Sequence, residues 1–182
     1  MVPDAVAELG LLGAGQRRRL GPWGPSCRDL KAAGFAYHRP LGLWCRGPVP
    51  RLVDHQLAVA QLLVDLLGLG HPPGALTVSP HLRYRSPAGG QRSLDPDALL
   101  HLGGLPVAVE VDRGTESGTV LRHKWWRYRE YGQEVVALPL VVVAPPSRTD
   151  LITTTLAACG LCLVGVGADL EGALLALDGV ER

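Results

Sequence analysis

Four carboxylates fall close together in LDPDALLHLGGLPVAVEVD: Asp95, Asp97, Glu110 and Asp112. They flank the pair Gly103-Gly104 in an otherwise apolar stretch. Acids gathered in this way can bind a divalent cation, pair with Lys or Arg, or keep a proton on a carboxyl whose pKa is raised. A two-residue Gly-Gly loop makes strands of residues 97–102 and 106–112 and sets Asp97 opposite Glu110 and Asp95 opposite Asp112. Side chains alternate along a strand, so all four acids share one face, and Ala98, Leu100, Val107, Val109 and Val111 share the other. The apolar set supports this register independently of the acids, because a slip of one residue would scatter both groups.

Like charges directly opposite on a sheet destabilise it, by about 4 kcal/mol per pair at roughly 4 Å and an effective dielectric of about 20. One of the three compensations is therefore required. For Asp97, Glu110 and Asp112 a metal site is the favoured expectation. Oxygen-only ligands in partial coordination suit Mg²⁺ or Mn²⁺, which retain waters and take one or two carboxylates plus substrate phosphate. Asp95, followed by Pro96, reads equally as a turn start at the solvated end of the sheet.

The elements that must position these acids are legible in outline. HQLAVAQLLVDLLG is apolar around most of its circumference and predicts a buried helix from His55. LTVSPHLRYRS is strand-like but punctured by Pro80. Thr119 to Tyr131 predicts a helix ended by Gly132. EVVALPLVVVA predicts a strand, bulged or at an edge near Pro139. Arg148 to Ala158 predicts a helix, LCLVGV a strand, and Asp169 to Leu177 a final helix. The first fifty residues differ, being broken by Gly and Pro and carrying the basic run Gln16-Arg17-Arg18-Arg19. There Ser26 caps a helix from Cys27 to Ala33 that Gly34 ends, and FAYHRPLGLWCRG reads as two short strands around a turn. Helix then hairpin is the end of a winged-helix unit; an irregular arm packed on the main domain is the alternative.

Pro96-Asp97, twelve intervening residues and Glu110-Val111-Asp112, on a hairpin with a helix before and after it, resemble the PD-(D/E)XK nuclease superfamily. The third motif position, usually Lys, is Asp112 here, and Lys124 in TVLRHKWWRYREY is a candidate substitute of the migrated kind known in that superfamily. VAVEVDRGTES with Lys124 and Tyr128, HQLAVAQL upstream, and VVVAP plus Arg148 downstream resemble more narrowly the replication-relaxation family of plasmid and mobile-element proteins. The resemblance implies a three-layer α/β restriction-endonuclease-like mixed sheet flanked by helices (residues 53–182), with a reduced winged-helix-like N-terminal arm (residues 1–52). It further implies Asp97 and Glu110 as metal ligands, Asp112 as a ligand or a supporting base, and Lys124 acting on a phosphate or a water. Asp65 would stand for the acidic first-helix residue of some superfamily members. Tyr128, one turn after Lys124, either supports it or simply packs.

Other residues carry less chemistry. Arg83 and Arg85 alternate with Leu82 and Tyr84, and either face phosphate or neutralise Asp95. Arg122, His123, Arg127 and Arg129 make the helix after the acids basic, with Trp125 expected in the core and Trp126 open to either core or base stacking. Cys159-Gly-Leu-Cys162 lacks a second close cysteine pair for zinc and reads as two buried thiols. His55 and His71 flank the long helix without an assigned role.

At 182 residues, 47% apolar and net charge +1, the chain holds a real core, and its bulk charge specifies no partner. Without a secretory leader or a membrane-length apolar run, a cytoplasmic protein is expected. Function then reads as DNA processing of the replication-relaxation type with Mg²⁺-dependent phosphodiester cleavage, on DNA as substrate. The alternatives are a non-catalytic DNA-binding or relaxosome accessory module, and a subunit that binds protein partners of a replication or conjugation complex.

Overall fold

A computed structural model of the chain describes residues 4–49, 52–104 and 106–180, and these form two compact units, Met1–Val78 and Ser79–Arg182. No helix among the described residues is long and apolar enough to cross a membrane.

The first unit runs α1 (Asp4–Leu9), β1 (Leu11–Gly13), α2 (Ala14–Arg19), α3 (Cys27–Ala32), β2 (Ala36–His38), β3 (Leu43–Cys45), α4 (Val53–Gly68) and β4 (Leu76–Val78). Ser26 caps α3 as expected: its Oγ accepts the Asp29 N–H at 3.1 Å, and Asp29 returns the bond to the Ser26 N–H. The expected hairpin is present too, with Ala36 opposite Cys45 and His38 opposite Leu43, and β1 joins it to give the strand order β1-β3-β2. Two six-residue helices precede Gly21, more helix than the broken sequence suggested. Helix α4 groups with these elements rather than with residues after 53, because Val53 and Leu57 pack on Leu11, Leu43 and Cys45. Gln16 reinforces that packing: its Nε2 donates to the Leu57 carbonyl at 2.7 Å. Asp65 accepts from Gln61 at 2.6 Å on the same helix, which satisfies it inside this unit. Pro50 and Arg51, near the end of the expected N-terminal arm, lie outside the described residues, as do Glu181 and Arg182.

The second unit contains a hairpin, β5 (Leu82–Arg85) with β6 (Gln91–Leu94), followed by β7 (Ala98–Leu100), β8 (Val107–Val111), α5 (Gly118–Glu134), β9 (Leu140–Val143), α6 (Thr149–Ala158), β10 (Val164–Gly167) and α7 (Leu170–Asp178). The molecule is mixed α/β, and β10-β9-β8-β7 are consecutive strands of a five-stranded mixed sheet flanked by helices. Only β7 and β8 are antiparallel in this run. Ala98 faces Val109 and Leu100 faces Val107, the register expected from the sequence. The ladder stops there, however, so the connection is longer than the two-residue turn expected. Gly103 and Gly104, at φ +96° and +75°, still reverse the chain, in a backbone region that favours glycine.

Several boundaries differ from expectation. The LTVSPHLRYRS strand is split around Pro80, where Ser79 takes φ +47°. Strand β6 is too polar (QRSL) to announce itself. Helix α5 runs through Gly132 to Glu134; Gly132 is needed for close approach, since a Cβ there would meet Ala137 Cα at 3.3 Å. The strand expected around Pro139 begins only at Leu140, where parallel pairing with β8 and β10 starts.

Both faces of the sheet are covered. Leu99, Ala108, Leu140 and Val142 pack with Leu121, Trp125, Ile152 and Leu156 of α5 and α6. On the opposite face Gly165 and Gly167 let α7 lie directly on β10: a Cβ on either would overlap backbone atoms of Ala173. Gly165→Ala should therefore cost about 3 kcal/mol or more. Gly90→Ala, at an exposed turn with open space around the new methyl, should stay within about 0.5 kcal/mol. Urea unfolding of the two variants checks this, and equal midpoints would contradict the close packing.

Candidate functional site

The β7–β8 register carries Asp97 to the position opposite Glu110, on the face covered by α5 and α6. Glu110 also lies beside Val142 of β9, so its carboxylate starts from the middle of the sheet and is only 3% exposed. Helix α5 is capped by Ser117, whose Oγ accepts the Val120 N–H at 3.4 Å. Leu121, Trp125 and Tyr128 recur at helical spacing and turn one face of α5 to the core, and that brings Lys124 and Tyr128 over the strand. Lys124 Nζ donates to Glu110 Oε2 at 3.1 Å and Tyr128 OH to Glu110 Oε1 at 2.7 Å. Lys124 Nζ also lies 3.2 Å from Glu116 Oε2, an oxygen shielded from solvent and off a good hydrogen-bond line. Asp97 Oδ2 accepts the Val111 N–H at 2.8 Å. Of these, Asp97, Glu110 and Lys124 border a cavity of 290 Å³ lined also by Leu94, Asp95, Val120, His123 and Arg127.

Burial and the nearby Asp97 carboxylate push the Glu110 carboxyl up to about 7, with Lys124 and Tyr128 pulling the other way. Burial alone would lower the Lys124 ammonium. The carboxylates of Glu110, Glu116 and Asp97 outweigh it, so the ammonium holds its proton above the usual lysine range. Burial and the Glu110 charge raise the Tyr128 phenol well above its ordinary value and keep it a donor. Tyr128 is thus more than packing: it is a direct partner of the buried acid.

Asp112 departs from the expected cluster. The strand ends at Val111, and Asp112 turns to Arg148, whose Nε donates to Oδ2 at 2.8 Å, while Oδ1 accepts the Gly114 N–H at 3.0 Å. Arg148 also donates to the Glu116 carbonyl at 2.6 Å, which locks the loop after the strand. Asp95 pairs with His81 at 2.7 Å and with Ser93 Oγ at 2.8 Å; neither Arg83 nor Arg85 neutralises it. Burial raises the Asp95 carboxyl, but these two bonds outweigh it and hold it below its ordinary value.

Among the described residues no three His, Cys, Asp or Glu side chains gather into a ligand set for a metal ion. Both Glu110 oxygens are taken by Lys124 and Tyr128, and both Asp112 oxygens by Arg148 and Gly114. As arranged, Asp97, Glu110 and Asp112 do not fit a pre-formed Mg²⁺ or Mn²⁺ site.

The arginines divide. Arg83 and Arg127 line an open groove of 800 Å³ with Gln91, Arg92 and Ser93. Arg85 and Arg122 are exposed but line neither this groove nor the acid cavity, and Arg122 donates to Thr119 at 3.3 Å. Arg92 escaped the sequence reading, as did Glu130. This buried acid on α5 accepts from Tyr84 OH, Ser86 Oγ and Arg92, each at 2.8 Å, and ties the β5–β6 hairpin to the helix. The bonds from Ser86 and Tyr84 hold its carboxyl below the ordinary value. The only sequence signal was an acid on the core side of an amphipathic helix. Trp125 is fully buried, as expected, and donates to Thr155 at 3.0 Å. Trp126 is 54% exposed, with the Arg129 guanidinium 5.2 Å from its ring centre. Cys159 is buried, whereas Cys162 is exposed because it falls in the loop before β10.

The raised Glu110 carboxyl has a measurable consequence. Its pKa is about 7 folded against 4.5 ordinarily, so between these values the folded chain keeps a proton that the unfolded chain releases. Stability should fall as pH rises through that window, by about 3 kcal/mol, and level off above it. Lys124 contributes no slope there, since its stabilisation is lost only as pH rises from the ordinary lysine value toward its own raised one. Glu110→Gln, which keeps an acceptor but cannot titrate, should lack the fall. Urea midpoints across the window check this; equal slopes in both proteins would contradict it.

A model of the replication-relaxation family matches residues 46–141. No curated protein and no solved structure matches the chain. The matched segment runs from the end of the N-terminal hairpin through Asp97, Glu110, Asp112, Lys124 and Tyr128 to the first residues of β9. It spans just over half of the sequence, and the chain belongs to the replication-relaxation family.

Proposed function

We propose that this chain is a DNA-binding protein of replication-related processing, in which the nuclease-like acids form a self-neutralised ion-pair network rather than a standing metal site. One observation carries the reading: every acid of the hairpin has a partner within the chain itself. His81 and Ser93 hold Asp95, the Val111 N–H holds Asp97, Lys124 and Tyr128 hold Glu110, and Arg148 and Gly114 hold Asp112. The like-charge cost that would otherwise call for a cation is met by Lys, Arg and a raised carboxyl pKa.

Two features favour DNA as the partner. The order α1-β1-α2-α3-β2-β3 with sheet order β1-β3-β2 supports a winged-helix reading of these residues. In such a unit α3 is the helix offered to the major groove, and here it exposes Arg28 and Lys31, while the turn of the following hairpin exposes Arg39. The second feature is the membership of a replication family.

A second reading, phosphodiester cleavage, is favoured by the open cavity that gathers Asp97, Glu110, Lys124 and Arg127. It requires Lys124 to leave Glu110 when DNA arrives. Calorimetric titration of Mn²⁺, with and without duplex DNA, beside the Asp97→Ala/Glu110→Ala double variant, separates the two. The ion-pair reading expects no acid-dependent Mn²⁺ binding in either condition and no cleavage of supercoiled, nicked or branched DNA. Stoichiometric binding that the double variant loses, together with cleavage, would overturn it in favour of the enzyme.

A further inference from the structure

The groove beside the acid cavity has a composition of its own. Arg83 and Ser93 are directly opposite on β5 and β6, Arg92 is opposite Tyr84 on the other face of the same hairpin, and Arg127 reaches in from α5. The lining therefore comes from both faces of the hairpin and from the helix that Glu130 fastens to it. Arg92 spends part of its guanidinium on Glu130 at 2.8 Å while remaining half exposed. Among the described residues neither Arg83 nor Arg127 pairs with a carboxylate. Two uncommitted guanidiniums and a partly committed third thus face one open space of 800 Å³.

We propose that this groove binds the phosphodiester backbone of DNA. Planar guanidiniums match phosphate oxygens bidentately, and Gln91 and Ser93 add neutral donors. The space exceeds what a single inorganic phosphate needs and lies in the upper range of ligand cavities. Among the described residues no aromatic side chain lines it, so none offers a stacking platform for a base. Arg127 lines both this groove and the acid cavity, and it sits three residues after Lys124 on α5, so a strand leaving the groove passes Lys124. Of the nearby acids, Glu110 and Glu130 are already matched by Lys124 and Arg92.

The groove rests on the DNA-binding reading above and is tested so that the two fail separately. Binding of a labelled duplex to the full chain is followed by fluorescence anisotropy over a range of salt. Arg83→Gln/Arg127→Gln should weaken binding about tenfold and reduce the slope of log K against log salt by about two, equally for two unrelated duplex sequences. Arg83→Lys/Arg127→Lys should recover part of the affinity, which a merely structural loss would not. Arg85→Gln/Arg122→Gln removes the same charge from outside the groove and should change little. If the two Gln pairs behave alike, the groove is wrong and DNA binding stands. Loss confined to one duplex sequence would overturn backbone reading. If the wild-type chain binds no duplex, both proposals fall.

Discussion

A carboxylate in the middle of a sheet, capped by an ammonium and a phenol from the overlying helix, sets the organisation of the second unit. Glu110 is 3% exposed, and its oxygens meet Lys124 at 3.1 Å and Tyr128 at 2.7 Å. Stripping water from a carboxylate is costly unless its lone pairs are matched, and removing one partner leaves the rest of the penalty uncovered. The β7–β8 register and the rotation of α5 must therefore both be right for either to be tolerated. The apolar packing of Leu121 and Trp125 on Leu140 and Val142 supplies the driving force, and the polar contacts select one rotation among those that packing would accept.

Glu130 repeats the arrangement with its polarity reversed. Here the acid belongs to the helix and the donors, Tyr84, Ser86 and Arg92, belong to the hairpin and its turn. Lys124 and Tyr128 near the middle of α5, and Glu130 two residues further on, fasten the helix to the two hairpins. Trp125 is buried in the same core, its Nε1 satisfied by Thr155 of α6. The same contacts set Arg127 beside the β5–β6 hairpin, and Arg92 is oriented by its bond to Glu130. Where packing must be closest, polar matching gives way to glycine, as at Gly165 and Gly167 under α7.

The same accounting explains how four acids coexist on adjoining strands. The sequence reading allowed a cation, a basic partner or a trapped proton as compensation. The fold uses the second and third: Lys124 and Arg148 as partners, and a Glu110 carboxyl pushed up to about 7. Arg148 reaches Asp112 from the start of α6, far along the chain, and a linear reading had no means of assigning it to that acid rather than to phosphate.

What the amino-acid order determined by itself was local and periodic. Alternation of apolar and acidic residues fixed which residues of the hairpin share a face and supported its register, Ser26 and Asp29 fixed the start of α3, and helical spacing made Trp125 core. Lys124 could be placed near the acids because its helix directly follows their strand. Tertiary structure decided everything that depends on partners distant in sequence. It turned Asp112 toward Arg148, joined α4 to the N-terminal unit through Leu11, Leu43 and Cys45, and drew the polar segment Gln91–Leu94 into a strand by pairing it with β5. It carried α5 past Gly132 and made Glu130 a buried anchor. The physical reason is the same in each case. Side-chain period and turn chemistry are written in neighbouring residues, whereas the choice of partner for a buried charge is made by whichever opposite charge the packed elements bring within hydrogen-bond reach.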